Sequence, residues 1–584
     1  MAAPVARIDG ISKRFVNKQR TVTALDGIDA EIEAGKVTGL VGPDGAGKTT
    51  LIRLIGGLLL PDGGSIGVDG HDSIDEAEAV HAITAYMPQR FGLYEDLTVA
   101  ENLALYADLR NLTGDERDAA FERLVKFTGL GPFQKRLAGA LSGGMKQKLG
   151  LACALVRPPR LLLLDEPSVG VDPVSRRELW KMVHELAGEG IGVLWSTAYL
   201  DEAERCHSVL LLNEGRLLYD GPPDDLTRRV EGRTFVLRGL DGNKRKMQAA
   251  AQRAPGVADA IIQGRTVRIV LKEEARRPAS AELDAEAALE ISPVTPRFED
   301  AVVAMLRARE GSGETEPVSV EIHNGDLADG EATVRAEHLT RVFGSFRAVD
   351  DISFSVKRGE IFGLLGPNGA GKSTTFKMMC GLLPPSDGDA RVAGIDLRRA
   401  AAVARSRIGY MSQKFSLYGG LTVRQNLEFF GGAYGLGRRR RRQAVEGMLS
   451  TFGLEPMVGA LAGGLPLGFQ QRLALACALM HGPSILFLDE PTSGVDPLTR
   501  REFWAHINAM AGQGATVLVT THFLDEAEYC DRIGIVNAGK LIATGSPDEL
   551  KEPLRSDDLP DPTLEDAFVH LVEQQQRETE RDAA

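Results

Sequence analysis

The chain has 584 residues, of which 81 are acidic and 68 basic, so its net charge is −13. At about 150 residues per domain this length predicts several domains, and the content of 43% hydrophobic and 26% charged residues excludes wholesale disorder. The acidic balance also argues against nucleic acid as a partner, because proteins that bind it usually have a basic surface.

Apolar runs along the chain are short. Leu58–Leu60 and Leu161–Leu164 are ended by Pro61 and Asp165, well below the roughly eighteen apolar residues that a membrane-spanning helix needs. The start of the chain has no apolar segment after a basic residue, so we expect no secretory signal. The five cysteines form no Cys-x-x-Cys pair, which argues against a disulfide framework or a structural zinc site. We therefore expect a cytoplasmic protein.

One sequence offset recurs along the chain. Lys48 and Lys372 lie in nearly identical contexts, GPDGAGKTT and GPNGAGKST, and are 324 positions apart. The same offset relates Glu166, in LLLLDEPSVGVDP, to Glu490, in LFLDEPTSGVDP. The sequence therefore predicts two copies of one domain.

The repeat is interrupted after the first copy. A block from Glu231 to about Leu289 has no counterpart in the second copy, because FEDA at Phe298 matches LEDA at Leu564 with an offset of only 266. The pattern of this block predicts a strand, a helix and two further strands, so we expect a small α+β accessory domain. The acidic, Gly-rich stretch that follows is typical of a linker. The predicted domains are the first repeat (1–230), the accessory domain (231–308), the linker (309–332), the second repeat (333–546) and a truncated C-terminal tail (547–584).

The first functional motif in each copy is a glycine-rich loop of the kind that binds phosphate. Gly42–Thr49 fits the pattern G-x-x-x-x-G-K-[ST] and follows the apolar run Val37–Val41, which predicts a buried strand. Glycines let successive backbone N–H groups surround phosphate oxygens, and the next helix presents its positive end. We expect Lys48 to reach the outer phosphates and Thr49 to bind Mg²⁺. The candidate nucleotide-binding residues are Gly42, Gly45, Gly47, Lys48, Thr49 and Thr50 in the first copy, and Gly366, Gly369, Gly371, Lys372, Ser373 and Thr374 in the second.

Two carboxylates end an aliphatic run in each copy. Leu161–Leu164 precede Asp165 and Glu166, which predicts a buried strand with both acids at its C-terminal edge. Asp165 and Asp489 are candidates for the Mg²⁺ shell, and Glu166 and Glu490 for polarising an attacking water.

These motifs, with the segments Leu141–Gln147 and Gly170–Asp172, resemble those of ATP-binding cassette ATPases, and their order and spacing match in both copies. The resemblance implies an α/β fold with two phosphate-loop NTPase cassettes in tandem, each with a helical subdomain, that bind ATP and Mg²⁺. It also implies that the two cassettes pair head to tail within the chain, with each nucleotide between one phosphate loop and the other cassette's signature loop. Further implied site residues are Gln89 and Gln413 at the metal, Ser142, Gly143 and Gly144 in the signature loop, and Phe15 and Phe343, which stack on adenine or, alternatively, pack in the core.

The two copies differ at the signature loop. The position that matches Ser142 is Pro466, which has neither a hydroxyl nor an N–H group. Leu467 replaces the glycine that lets backbone approach the γ-phosphate. The second signature loop has therefore lost its main hydrogen-bond donors.

A second difference lies at the switch position, where the family has a histidine that contacts the γ-phosphate. The second copy has His522, but the first copy has Ala198. The first copy also has Asp44 where the second has Asn368. Head-to-tail pairing would place Ala198, Pro466, Leu467 and Asp44 on one composite site, and Lys372, Ser373, Gln413, Glu490, His522 and Ser142 on the other. Because a lost donor costs about 10² to 10³ in rate, we expect the first site to turn ATP over slowly and the second to perform most hydrolysis.

Two surface features remain. An aromatic and apolar pattern follows each glutamine and, by the family resemblance, forms a groove for a helix of a membrane subunit, although core packing is an alternative. Arg438–Arg442 is either a solvated face or a site for anionic lipid headgroups. The residues of the groove pattern are Phe91, Leu93 and Tyr94, and Phe415, Leu417 and Tyr418.

The chain is similar to the fused ATPase subunits of ABC-2-type exporters, including drug-efflux members. This resemblance implies an ATPase on the cytoplasmic face of the membrane that powers separate permease subunits and exports a drug or another hydrophobic compound. Two alternatives are a tandem-cassette translation factor that binds ribosomes and a tandem ATPase of a sugar importer. The first would need a signature serine in both copies, which Pro466 breaks, and the second differs in its permease.

Overall fold

The computed structural model describes residues 4–17, 20–89, 92–239, 244–283, 289–310, 332–413, 417–521, 523–556, 559 and 562–583. The chain divides into two compact units. The first unit comprises Met1–Glu231, Thr295–Arg309 and Gly494–Leu498, and the second comprises Gly232–Val294, Glu310–Ser493 and Thr499–Ala584.

The first copy contains two sheets. One is antiparallel, in the order β2-β1-β4-β5, and the other has six strands in the order β10-β9-β3-β8-β7-β6. In the six-stranded sheet all neighbours are parallel except β9 and β10. Every residue of β3, β7 and β8 is buried, as expected for parallel strands covered on both faces. The strands are β1 (Pro4–Asn17), β2 (Arg20–Glu33), β3 (Val37–Val41), β4 (Gly63–Val68), β5 (His71–Asp72), β6 (Thr84–Met87), β7 (Leu161–Asp165), β8 (Gly192–Thr197), β9 (Ser208–Asn213) and β10 (Arg216–Gly221).

Helices of the first copy follow the sheet strands and also form a separate helical region. This region consists of α3, α4 and α5, in which α5 packs against both other helices. Thr98 and Glu101 form a capping box that fixes the start of α3. The helices are α1 (Lys48–Ile55), α2 (Ala77–Ile83), α3 (Val99–Leu109), α4 (Gly114–Thr128), α5 (Gly143–Ala154), α6 (Pro173–Gly188), α7 (Leu200–Ala203) and α8 (Pro223–Arg228).

The block without a counterpart forms an antiparallel sheet in the order β12-β13-β11-β14, with α9 packed against β12 and β13. The helix that follows, α10, belongs to the first unit, where Phe298 is fully buried. The domain boundaries drawn from the sequence remain our proposal. The elements are β11 (Thr234–Arg238), α9 (Lys244–Arg253), β12 (Val257–Gln263), β13 (Thr266–Leu271), β14 (Glu290–Pro293) and α10 (Phe298–Glu310).

The second copy repeats both sheets, in the orders β16-β15-β18-β19 and β20-β21-β22-β17-β23-β24. Its strands are β15 (Ala332–Phe343), β16 (Phe346–Lys357), β17 (Ile361–Leu365), β18 (Asp387–Val392), β19 (Ile395–Asp396), β20 (Ile408–Met411), β21 (Ile485–Asp489), β22 (Thr516–Thr521), β23 (Arg532–Asn537) and β24 (Lys540–Gly545). Its helices are α11 (Lys372–Met379), α12 (Leu397–Arg405), α13 (Val423–Ala433), α14 (Arg438–Thr451), α15 (Leu467–Leu479), α16 (Pro497–Gly512), α17 (Leu524–Ala527), α18 (Pro547–Lys551) and α19 (Leu564–Ala583).

The accessory sheet packs against the second copy, although it follows the first copy in the chain. Both belong to the second unit, and one continuous cluster of buried apolar residues runs from the sheet into the second copy. Lys244 Nζ lies 2.9 Å from Asp531 Oδ1, and Arg245 donates hydrogen bonds to Asp531 and to Asn508. The accessory sheet therefore shares its packing with the second copy, although it directly follows the first copy in the sequence.

A buried ion pair joins the accessory sheet to α16. Arg501 Nη1 lies 3.4 Å from Asp259 Oδ2, and each side chain is only 3% exposed. By contrast, Arg265 and Glu549 form a 3.4 Å pair whose side chains are 73% and 60% exposed. Because solvent screens exposed charges, the buried pair is the one whose loss should destabilise this contact.

We predict that Asp259→Asn destabilises the second unit, because it removes the buried negative charge that lies 3.4 Å from Arg501 Nη1, a change that costs about 3–5 kcal/mol in comparable pairs. Calorimetry should show a lower melting temperature for this unit. Arg265→Gln is the matched control and should leave the melting temperature unchanged. Equal shifts in both variants would contradict the role of the buried pair.

Candidate functional site

Each phosphate loop connects a buried strand to a helix, β3 to α1 and β17 to α11. Gly47 at the start of α1 has φ 106°, and a Cβ there would lie 2.5 Å from the carbonyl oxygen of Ala24. Only glycine fits this left-handed and crowded position. The side chain of Lys48 turns back into the loop, where Nζ donates to the carbonyl oxygens of Gly42 (2.7 Å) and Pro43 (3.2 Å).

The second phosphate loop has the same geometry. Gly371 has φ 103°, and Lys372 Nζ donates to the carbonyl oxygens of Gly366 (2.6 Å) and Pro367 (3.0 Å). Thr50 and Thr374 lie half-buried in the first turn of the helices that follow the loops. Both lysines therefore fold back onto carbonyl oxygens of their own glycine-rich loop, a type of loop whose backbone N–H groups can bind phosphate.

A hydroxyl and a carboxylate meet beside each phosphate loop. Thr49 Oγ1 donates to Asp165 Oδ1 at 3.1 Å, and Ser373 Oγ donates to Asp489 Oδ1 at 3.2 Å. Burial raises the pKa of both aspartates, while these hydrogen bonds oppose the shift. Hard oxygen donors are those that Mg²⁺ prefers, and a cation would offset the cost of the buried charge. The residues present thus fit a Mg²⁺ ion.

Glu166 and Glu490 follow the buried strands β7 and β21 in a left-handed conformation, with φ 51° and 49°. Such strain in a residue other than glycine is uncommon and concentrates at functional sites. The backbone N–H of each glutamate is fixed to the neighbouring strand, on Ser196 O and Thr520 O, both at 3.1 Å. The same unusual turn therefore presents both glutamates.

The glutamines predicted at the metal contact these glutamates. Gln89 Nε2 donates to Glu166 Oε2, and Gln413 Nε2 donates to Glu490 Oε2 at 2.7 Å. Their amide groups thus lie at the edge of the site, next to the candidate catalytic carboxylates.

Burial raises the pKa of Glu166 to about 7, although Lys48 Nζ, 3.7 Å away, opposes the shift. The negative charges of Asp44 and Asp165 also raise this pKa. A carboxylate with a pKa near neutrality can accept a proton from water at physiological pH. In the second copy the position of Asp44 is the uncharged Asn368.

The switch position is held by a buried glutamate in each copy. In the first copy Thr197 Oγ1 donates to Glu202 Oε2 at 2.6 Å and accepts from the N–H of Tyr199 at 2.9 Å, which fixes the fully buried Ala198 between them. Burial raises the pKa of Glu202.

The second copy has the same arrangement around its switch. Thr521 Oγ1 donates to Glu526 Oε2 at 2.8 Å and accepts from the N–H of Phe523 at 2.9 Å. His522 itself lies outside the described residues. The sequence analysis missed the two glutamates, which the repeated Leu-Asp-Glu-Ala segment after each switch would have indicated.

The two signature loops differ at the N-cap, the residue directly before the following helix. Ser142 is the N-cap of α5 and accepts a hydrogen bond from the N–H of Met145 at 3.3 Å. Pro466 is the N-cap of α15 and provides no side-chain cap. Both residues are exposed, followed by the half-buried Gly143 and Leu467, and Gly144 is buried. The exposed end of α5 thus offers a hydroxyl, which α15 lacks.

Four aromatic side chains for which core packing was an alternative are exposed. Phe15 is 44% exposed and Phe343 46%, so core packing is wrong for both. Tyr94 and Tyr418 are 57% and 49% exposed, so core packing is wrong for these tyrosines too. Leu93 and Leu417 are half-buried. Phe91 and Phe415 lie outside the described residues.

Comparisons with known proteins agree with this geometry. Residues 25–169 and 349–493 match the family described as ABC transporter. The Probable multidrug ABC transporter ATP-binding protein YbhF of Escherichia coli (strain K12) is 58% identical over 569 residues, covering 97% of this chain and 98% of that protein. The Linearmycin resistance ATP-binding protein LnrL of Bacillus subtilis (strain 168) is 39% identical over 225 residues, covering 38% of this chain and 72% of that protein.

A solved structure titled RNase-L Inhibitor is similar with a TM-score of 0.56 and covers 94% of this chain and 92% of its own, but at 20% identity it shows the fold alone. Each helix among the residues that the structure describes is too short or too polar to cross a membrane. The predicted α/β fold with two phosphate-loop cassettes is confirmed. The chain belongs to the ABC transporter family, as an ATP-binding and ATP-hydrolysing subunit with two ATPase domains in tandem.

Proposed function

We propose that this ATPase powers a separate membrane permease of an ABC-2-type exporter and that the cargo is a drug or a similar hydrophobic compound. The observation that carries the proposal is the 58% identity, over 97% of the chain, to a protein named as a multidrug transporter subunit. The site of action is the cytoplasmic face of the membrane.

The two cassettes are proposed to pair head to tail when both bind ATP, so that each phosphate loop faces the other cassette's signature loop. The loop with Lys372 then faces the hydroxyl of Ser142, and the loop with Lys48 faces Pro466 and Leu467. The geometry that supports unequal sites is the N-cap difference, because only Ser142 has a side-chain oxygen that accepts a hydrogen bond.

In the complete site, Lys372 would bind the outer phosphates, and Ser373, Gln413 and Asp489 would hold Mg²⁺, directly or through water. The bound Mg²⁺ would neutralise charge that develops on the phosphates. Glu490 would orient the attacking water and accept its proton, and the strained backbone at φ 49° supports this role because it aims the carboxylate toward Gln413.

In the other site, the residues of the first phosphate loop and Asp165 are complete, but the switch and the facing signature are not. The methyl group of Ala198 cannot contact a phosphate, and Pro466 has no donor. Glu166 is present, so slow hydrolysis is allowed. This site would bind ATP mainly to hold the cassettes together.

Neither alternative gains support from the comparisons. The solved structure titled as a complex of a ribosomal stalk protein with a ribosome recycling factor is 19% identical, which shows the fold alone. The α+β accessory sheet and Pro466 also differ from what a translation factor would need. Affinity purification from membranes tests all three functions: an integral membrane exporter supports ours, whereas ribosomes or a sugar importer would overturn it.

We predict unequal effects of removing the two glutamates. Glu490→Gln should lower steady-state ATP hydrolysis by about 10² to 10⁴, the usual contribution of a positioned base, while Glu166→Gln should retain most of the activity. Binding of a fluorescent ATP analogue is the control and should persist in both variants. An equal loss of hydrolysis would defeat the assignment of one slow and one fast site.

We predict a pH-dependent stabilisation by Glu166→Gln. The pKa of about 7, raised by burial above 4.5, means that ionising Glu166 costs folding free energy. The native protein should therefore lose stability as the pH rises from about 4.5 through about 7. Thermal unfolding should show that the variant's advantage grows from about pH 5 to about pH 8.

Asp44→Asn is the matched variant, measured by the same thermal unfolding. It introduces the amide that the second copy has at Asn368 and removes one charge that raises the pKa of Glu166. The dependence of stability on pH should become smaller. An advantage of Glu166→Gln that is the same at every pH would contradict the raised pKa.

We predict that Tyr94→Ala and Tyr418→Ala abolish transport by the assembled exporter but preserve basal ATP hydrolysis. Both rings are largely exposed, so their loss leaves no cavity in the core. Phe346→Ala, which removes another exposed aromatic ring (63%) from the second copy, is the control and should transport normally. Unfolding of the tyrosine variants, or normal transport, would contradict a coupling groove at this surface.

A further inference from the structure

The arginine run forms the first turn of a helix in the second unit. Arg438–Arg442 are the first five residues of α14, and of these only Arg441 is not exposed. The N-cap is Gly437, which has no side chain to cap the helix, and the first turn contains no acidic residue. A helix N-terminus is electropositive, so cations here oppose the helix dipole. An anion at this end would remove that unfavourable interaction.

The matching helix of the first copy shows that the fold does not need these arginines. The first five residues of α4 read Gly-Asp-Glu-Arg-Asp, with a net charge of −2, against +5 for α14. Asp115 and Glu116 lie in the first turn of α4, where acids are favourable. The two helices occupy equivalent positions in the two copies. The fold therefore does not require the positive charge at the start of α14.

One arginine is shared by both copies, and it has a structural contact. Arg117 Nη1 pairs with Asp108 Oδ1 at 2.8 Å in the first copy. The equivalent residue, Arg441, packs closely on α13, where a Cβ added to Gly431 would lie 3.0 Å from its Cγ. The position of Asp108 is Gly432 in the second copy, so the carboxylate that neutralises this arginine is also absent there.

The helix that Arg441 packs against also contributes to an exposed aromatic pair. Phe429 of α13 is 45% exposed, and its ring centroid lies 4.6 Å from that of Tyr418. Tyr418 belongs to the groove that we assign to the permease, and this step of the argument rests on the proposed function. The arginine run and this aromatic pair are thus connected through α13, and a permease bound at the pair would bring lipid headgroups near the arginines.

We propose that Arg438–Arg442 bind the phosphates of anionic phospholipids, so that the second cassette contacts the bilayer itself as well as the permease. Guanidinium groups bind phosphate oxygens with paired hydrogen bonds, and the first backbone N–H groups of α14 add donors. The net charge of −13 repels an anionic surface only weakly beyond about 10 Å, because salt screens it. A nucleic-acid backbone offers the same phosphate chemistry, and its binding is therefore a contradicting outcome of the test below.

The test is flotation of the purified full chain with vesicles of phosphatidylcholine, alone or mixed with phosphatidylglycerol, in the absence of permease. The native protein should float only with the mixed vesicles, and less as salt increases. R439Q/R440Q/R442Q should bind at least about tenfold more weakly. R439D/R440E/R442D, which takes the first copy's residues, should not bind.

R335Q/R399Q/R555Q is the control, because it removes three exposed arginines of the second unit and the same charge. It should float like the native protein, and all variants should retain ATP hydrolysis. At the same ionic strength, flotation should be as strong in inorganic phosphate as in chloride, which separates lipid from free phosphate. No flotation of the native protein, equal flotation of the glutamine variant, or binding of a short labelled duplex DNA instead of vesicles would overturn the proposal. None of these outcomes bears on whether a permease copurifies.

Discussion

The chemistry of each cassette depends on one geometric constraint, which is that parallel strands end at the same edge of a sheet. β3, β8 and β7 are neighbours in the first copy, and Lys48, Thr197 and Asp165 lie at or just after their carboxyl ends. Thr49 and Asp165 are 116 residues apart in the chain but only 3.1 Å apart in the structure. Ligand sites form at this edge in open α/β sheets because loops and helix N-termini converge there.

This constraint also explains the strained glutamates. A residue that leaves a fully buried strand must turn sharply to reach the site. The backbone hydrogen bond from the N–H of Glu166 to Ser196 O of β8 contributes to holding that turn. One left-handed residue costs about 1–3 kcal/mol, which is more than the roughly 0.5–1.5 kcal/mol net of a single hydrogen bond, so the packing of the whole buried sheet must maintain this turn. The buried sheet therefore fixes the direction of a side chain that the local sequence would not.

Sequence patterns predicted the parts of the fold that depend on local residues. The phosphate loops, the buried strands before Asp165 and Asp489, and the accessory strands β11, β12 and β13 lie where composition and spacing placed them, whereas β14 was not predicted. The sequence could not predict the φ of Glu166, because that turn depends on β8, about thirty residues later in the chain. The contact between Glu202 and Thr197 is local and was simply missed. The ion pair between Asp259 and Arg501 joins the inserted block to a helix more than 200 positions later. The hydrophobic periodicity of a sequence cannot predict such a long-range pair.

The accessory sheet is covalently continuous with the first copy but shares a core with the second. Its contacts fall on Arg501 and Asn508 of α16 and on Asp531, directly before β23. A movement of α16 must therefore carry the accessory sheet with it or break a buried ion pair.

The differences between the copies at the candidate site lie at the ends of helices and in loops, while the buried strands β7 and β21, which precede the candidate catalytic carboxylates, differ only among apolar residues. Ser142 and Pro466 are N-caps, Asp115 and Arg439 lie in first turns, and Ala198 lies between a strand and a helix. Element ends contain the unpaired backbone groups and face ligands. Substitutions at these positions leave the buried core in place, so the two copies keep one fold while their exposed element ends differ.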